Sequence, residues 1–362
     1  MAKRILISAL LTGVLLLTGA CVRHENPELE SDIGLIGFSA SSMQIETKTI
    51  PNGPIDGFHV DDVFDVYGIR HWGEQKEDIF EGADVQLKSI NGPSDSTWTS
   101  TPSKSWNWHS TTEHYDFIGV WPTGVSSYEF ANNRLRVLSN FYNINYGGNH
   151  NDYDLMMAGY QRKGDVLQPN AKVPLYFYHM LCAVRVVVTN DSQGYDITLN
   201  SYSFRHLILR GKAIATFDAF NRPYFDWGNT VRDASVSTIR EVTPSETLYA
   251  KNNETEEHRR TYTGGYEFFI PADLTVTSNG SSNPDCLPVL NLSYRSDETD
   301  YNEPIILRNV QRKNKSYITE WKPGVKYTYH ISIRLDGAVI VTVYTTDWDE
   351  VEAETPGLMI EQ

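Results

Sequence analysis

Between Lys326 and Leu335 apolar and polar positions alternate without a break: Tyr327, Tyr329, Ile331, Ile333 and Leu335 against Lys326, Thr328, His330, Ser332 and Arg334. A two-residue period is the mark of a strand that buries one face and wets the other. Asp336-Gly337 follows, a pair that accepts the positive φ angles of a tight turn, and then the β-branched run Val339 to Val343, so the pattern predicts a C-terminal hairpin. Pro323-Gly324 suits a turn leading into it, and Trp321 and Trp348 bracket it with large apolar side chains.

The same test picks out strands along the rest of the chain: Ile33 to Ala40, Phe64 to Ile69, Tyr115 to Pro122, Ile197 to Phe204, Leu207 to Phe217, Tyr266 to Ile270, Val289 to Tyr294 and Ile305 to Val310. Gly68 within the second of these marks a bend or bulge. Val173 to Asn190, VPLYFYHMLCAVRVVVTN, is apolar on both faces, as expected of one central strand covered on two sides. Helical periodicity is weak throughout, so the fold class is all-β. The stretch Gln161 to Lys172 is polar, lacks periodicity and carries Gly164 and Pro169, which places a boundary there. With 362 residues and 40% apolar content the chain is long enough for two domains. They are expected at 33–168 and 169–362.

The first residues stand apart. Lys3 and Arg4, an apolar run from Ile5 to Leu17, and small residues up to Ala20 form an export signal over 1–20. The run is too short for a comfortable transmembrane helix. Cys21 comes next, ahead of a charged, proline-bearing tether over 21–32. This arrangement resembles a bacterial lipobox, in which the cysteine thiol is acylated; Thr18 stands where such a motif usually has leucine, with Leu17 one place earlier. Cys182 and Cys286 lie in separate strand-like runs, and a disulfide between them and two buried thiols are both compatible with the sequence. The formal charge of −15 argues against nucleic acid and anionic lipid surfaces as partners.

Chemistry is sparse. There is no Gly-rich phosphate loop, Gly-x-Ser-x-Gly elbow, His-Glu-x-x-His helix or paired CxxC, so no catalytic or metal site and no cofactor is expected. Asn149 to Asp154 is acidic but lacks the glycine and terminal glutamate of a calcium loop. His179 and Arg185 interrupt the Val173 to Asn190 run, and a histidine hydrogen-bonded within a sheet accounts for the former without a nucleophile beside it. Glu254 to Arg260 reads as an exposed charged loop. Trp98, Trp106 and Trp108 suit either core packing or a platform for sugar rings.

The order of several pieces resembles the fimbrillin family, the lipoprotein pilins of Bacteroidales: Cys21, FDVYG at Phe64 to Gly68, Trp106/Trp108 before YDFIGVWP, DLMMAG at Asp154 to Gly159, and VPLYFYHMLCAVRVVV. LRGKAIATFD at Leu209 to Asp218, FFIPADL at Phe268 to Leu274 and WKPGVKYTYHISI leading to Asp347-Trp348 continue it. The resemblance implies two transthyretin-like antiparallel β-sandwich domains in tandem, an outer-membrane lipoprotein anchored through Cys21, and assembly into surface fimbriae with a role in adhesion to host or bacterial ligands. In such pilins the first strand is removed and a neighbouring subunit's strand takes its place, which is β-strand addition. The strand concerned carries Ile33, Leu35, Ile36 and Phe38. Relatives matured by arginine-specific proteases need an arginine soon after it, whereas this chain has none between His24 and Ile69, and Lys48 is the nearest basic residue. The alternative is a surface glycan-binding lipoprotein using Trp98, Trp106 and Trp108.

Overall fold

The computed structural model describes residues 34–347 apart from 43–57, 93–94, 109–112, 133, 144–152, 165–170, 233–237, 256, 278–285 and 335–338. Cys21, Ile33, Lys48, the Asp336-Gly337 turn and Trp348 therefore lie outside the described residues. Strands dominate. The first nine are β1 (Phe38–Ser42), β2 (Val63–Trp72), β3 (Gln75–Gly92), β4 (Asp95–Thr101), β5 (His114–Trp121), β6 (Ser126–Ala131), β7 (Arg134–Tyr142), β8 (Met156–Lys163) and β9 (Val173–His179). Seven of them form one sheet in the order β1-β4-β3-β2-β5-β8-β9 that curls round until β1 joins β4 to β9 and closes it as a barrel.

The barrel is filled by Phe38, Phe64, Val66, Phe80, Trp106, Phe117, Leu175 and Phe177 among others. β2 is buried along nearly its whole length. Phe64 and Val66 point into the barrel, while Tyr67 and Ile69 face a second core outside it. Two glycines serve this packing. At Gly119 a Cβ would stand 2.8 Å from the Phe177 ring, so the side-chain-free position lets β5 lie close to β9. Gly82 takes φ +90°, where the register of β3 against β2 slips between Val66 and Tyr67, and a second slip falls between Gly68 and Ile69, where the irregularity was expected.

The remaining strands are β10 (Cys182–Asn190), β11 (Ile197–Arg205), β12 (Arg210–Phe217), β13 (Pro223–Val231), β14 (Thr238–Val242), β15 (Glu246–Leu248), β16 (Thr261–Thr263) and β17 (Glu267–Phe269), followed by β18 (Ala272–Asp273), β19 (Val289–Ser296), β20 (Thr299–Ile306), β21 (Gln311–Arg312), β22 (Glu320–Trp321), β23 (Val325–Ile333) and β24 (Val339–Asp347). One sheet runs β16-β10-β23-β24-β21 with β17 also on β10, and another runs β14-β11-β19-β20 with β15 also on β11. Their facing sides share a third core built on Val184, Val186, Phe204, Leu290, Trp321, Tyr327 and Tyr329.

A fourth sheet, β13-β12-β7-β6, draws strands from both halves of the chain and lies over the outer face of β2 and β5.

The all-β expectation holds, and β23 and β24 pair antiparallel as expected, with Ile333 opposite Val339. Three details differ. Val173 to Asn190 is two strands rather than one: β9 belongs to the barrel and β10 to the C-terminal sheet, so the chain changes sheets at Met180-Leu181, beyond the polar stretch 161–172 expected as the boundary. Ile305 to Val310 leaves the sheet after Ile306 and turns through a 3-10 helix at Leu307–Asn309. Lys326 and Thr328, expected on a wet face, are buried, because Tyr266 covers that end of β23.

Candidate functional site

Attention falls on the place where the barrel closes. β1 runs parallel to β9 with Phe38 opposite Val173 and Ser42 opposite Phe177, and antiparallel to β4 with Phe38 opposite Trp98. A bridge between Leu35 and Ser105, with Ile36 N–H donating to the Lys104 carbonyl at 2.8 Å and Trp106 N–H to the Gly34 carbonyl at 3.2 Å, extends the pairing ahead of the strand. Val173 N–H in turn donates to the Gly37 carbonyl at 2.8 Å.

Side chains alternate as the two-residue period requires. Ile36 and Phe38 point into the barrel and are buried, whereas Leu35 is 63% exposed. Phe38 meets the Phe80 and Phe117 rings edge-on at centroid distances of 5.7 and 6.0 Å. Of the four residues named for this strand from sequence, two are anchors, Leu35 faces outward, and Ile33 lies outside the described residues.

The tryptophans belong to the wall and filling of the same seat. Trp98 and Trp106 are buried, 6% and 1% exposed, and Trp108 is half-buried and stacked on Trp106 at 5.3 Å. Trp98 packs on Phe64 at 5.1 Å and its indole N–H donates to Ser96 Oγ; the Arg162 guanidinium lies over the Trp106 ring at 4.8 Å. Trp98 and Trp106 are therefore core filling, one of the two readings open from the sequence, while Trp108 keeps part of its surface exposed. Their segment is held by Tyr115, whose hydroxyl accepts from Asn107 N–H at 3.0 Å and donates to its carbonyl at 3.1 Å. Burial pushes that phenol's pKa up, with the Asn107 backbone opposing.

Titratable side chains gather at two further places. His179 Nδ1 lies 2.6 Å from Asp154 Oδ2, both buried, which is the in-sheet hydrogen bond expected of that histidine. On the outer face of the barrel His71 and His114 stack at 4.3 Å with an 11° angle between rings, and His71 Nε2 is 3.1 Å from Asp116 Oδ2. Burial lowers the His114 pKa, Asp116 opposing and His71, Lys163 and Arg134 reinforcing. Sequence reading missed this cluster, since its members come from two strands and form no local motif. Cys182 and Cys286 are not joined in a disulfide; Cys182 is buried and its thiol donates to the Phe269 carbonyl.

The geometry defines a class: an all-β protein of packed sheets whose own N-terminal strand closes the sheet of its first half. Residues 47–348 match the fimbrillin-like family, and the chain belongs to it. The match begins after β1. No curated protein sequence matches the chain. Among solved structures, a Parabacteroides distasonis protein described as a candidate cell adhesion protein is 10% identical with a TM-score of 0.50, over 88% of this chain and 98% of that one. A similarly described Bacteroides uniformis protein is 15% identical with a TM-score of 0.44, over 88% and 99% of the two chains. The tip fimbrial protein Mfa3 of Porphyromonas gingivalis is 12% identical with a TM-score of 0.35, over 80% and 95%.

Proposed function

We propose that this chain is a pilin-like subunit of surface fimbriae with a role in adhesion, held at the outer membrane by a lipid on Cys21 and joined to other subunits by β-strand addition at the seat of β1. The observation that carries the reading is the closure itself. β1 alone connects β4 to β9 among the described residues, and without it two strand edges and the pockets of Ile36 and Phe38 are opened. Unpaired edges recruit strands, because their backbone N–H and C=O groups need partners. Each apolar anchor adds about 1.5–3 kcal/mol on burial, so an incoming strand that repeats this spacing of apolar residues gains both register and affinity.

Lys48 follows β1 in the chain and is the proposed processing position. The role is structural: the partners are other subunits, and a ligand-bearing surface is not assigned. The tryptophan segment gives the glycan-binding alternative no support. The test compares a chain beginning at Val22 with one beginning at Thr49 by size-exclusion chromatography, each with and without a peptide of residues 34–42. The longer chain is expected to stay monomeric and ignore the peptide, and the shorter one to oligomerise or take the peptide up. If the shorter chain stays monomeric and leaves the peptide free, the strand-addition reading is wrong.

A further inference from the structure

β2 and β5 are antiparallel neighbours, and His71 stands directly opposite His114. Asp116 is two residues further along β5, hence on the same face as His114. Three different donors therefore converge on one spot: the ligand atoms of His71, His114 and Asp116 all lie within 4.8 Å of one another. We propose that these three side chains form a binding site for a divalent transition-metal ion of the zinc class.

The donor set is the first argument. Two imidazoles with one carboxylate suit zinc and its neighbours rather than calcium or magnesium, which prefer oxygen donors alone. Distance is the second. With bonds of about 2.0–2.1 Å to nitrogen and oxygen, the edge of a tetrahedral zinc site is about 3.3 Å. His71 Nε2 and Asp116 Oδ2 already stand 3.1 Å apart, so an ion replaces the proton they share with little movement of either.

His114 supplies the remaining protein ligand. Its ring lies parallel to that of His71, and parallel rings cannot both aim their in-plane lone pairs at one ion, so His114 must turn about its Cβ–Cγ bond. It is the half-buried member of the three, while His71 and Asp116 are buried, so the turn and the entry of the ion are on the side of His114. Three protein ligands leave a fourth position open to water or another donor.

An outer support is also present. Gln161 Nε2 donates to Asp116 Oδ1 at 2.8 Å, which holds the carboxylate and leaves Oδ2 for the ion, the arrangement second partners of metal ligands adopt. Lys163 sits opposite His114 on β8. Its charge opposes the ion, so affinity is expected below that of a zinc site made of four protein ligands.

The experiment uses the untagged full chain stripped with a chelator and titrated with Co²⁺, whose visible absorption is intense in tetrahedral sites and faint for the hydrated ion, followed by competition with Zn²⁺. One equivalent of tetrahedral Co²⁺ that Zn²⁺ displaces is expected. His114→Ala, which leaves the His71–Asp116 contact in place, should weaken binding by more than about tenfold and Gln161→Ala by roughly ten- to hundredfold. His258→Ala, remote in its stack on Tyr249, should bind as wild type. A spectrum that stays that of hydrated Co²⁺, or His114→Ala binding as well as wild type while melting cooperatively, overturns the proposal.

Discussion

Phe38→Ala tests whether β1 is held by its buried anchors. The ring is 1% exposed, and its edge contacts with Phe80 and Phe117 are made inside the barrel, so truncation removes apolar burial and leaves a cavity walled by those two rings. Substitutions of this kind cost about 3–5 kcal/mol. Leu35→Ala is the matched control, since Leu35 sits three residues away, is 63% exposed, and its loss should move stability by about 0.5 kcal/mol or less.

Because β1 is short and bonded at the edge of one core, the effect should be a local opening rather than collapse of the whole chain. Amide hydrogen exchange reads this directly. Ile36 N–H and Val173 N–H donate across the seam, to Lys104 and Gly37, and should exchange roughly a hundred- to several-thousandfold faster in Phe38→Ala, a factor of ten for each ~1.4 kcal/mol. Amides of β23 in the C-terminal sheet should be unchanged. If Leu35→Ala and Phe38→Ala speed the seam amides equally, burial of Phe38 is not what seats the strand.

Asp65 makes the pH dependence testable. Its carboxylate accepts Gly124 N–H at 2.8 Å, but burial raises its pKa, the Gly124 bond opposes and Asp84 directly across the sheet adds to the rise. A folded pKa above the unfolded one means the folded state holds the extra proton, so the contribution is full below the unfolded value near ~3.9 and is lost as pH rises through the folded one. Asp65→Asn should flatten that fall in a melting series from about pH 4 to 7, and an unchanged slope would contradict it. Cys21→Ser should release the protein from the membrane fraction; an N-terminal peptide of ordinary, unlipidated mass from the wild-type protein would refute acylation.

Much of the sheet content was legible because strands with one buried face advertise it, and β23 is the clearest case, with Tyr327, Tyr329, Ile331 and Ile333 all in the core. The Met180-Leu181 break was not, for a physical reason. Both residues are buried in the middle core, so the apolar run crosses from one sheet to the other with no polar punctuation. The tryptophans were ambiguous because an aromatic side chain serves a core or a ligand equally well, and only the path of the chain from β4 to β5 turns Trp106 inward. Closure of the barrel was invisible for another reason. It depends on a parallel pairing between β1 and β9, which no local pattern encodes. The His71–Asp116 contact, 45 residues apart in sequence, is hidden in the same way.

Under the strand addition proposed above, the seat of β1 must partly outlast its departure, and the two ends of β9 would divide that task. Its C-terminal end is pinned from several sides: Met156 and Met157 pair with His179 and Tyr178, Asp154 bonds His179, and Met180 N–H donates to the Leu155 carbonyl at 2.8 Å. Beyond it, Trp227 Nε1 donates to the Met180 carbonyl and Gly324 N–H to the Leu181 carbonyl, each at 2.8 Å, so both other cores hold the point where β9 becomes β10. The N-terminal part is different. From Val173 to Phe177 its strand partner among the described residues is β1, and what else holds it is the burial of Val173, Leu175 and Phe177 inside the barrel. Loss of β1 therefore frees the backbone there while leaving its apolar anchors in place. An incoming strand has to order that stretch as it binds, at a cost of about 1–2 kcal/mol for each residue fixed. Apolar residues at the spacing of Ile36 and Phe38 would offset that cost and a strand without them would not, which under the proposed strand addition sets the preference of the seat.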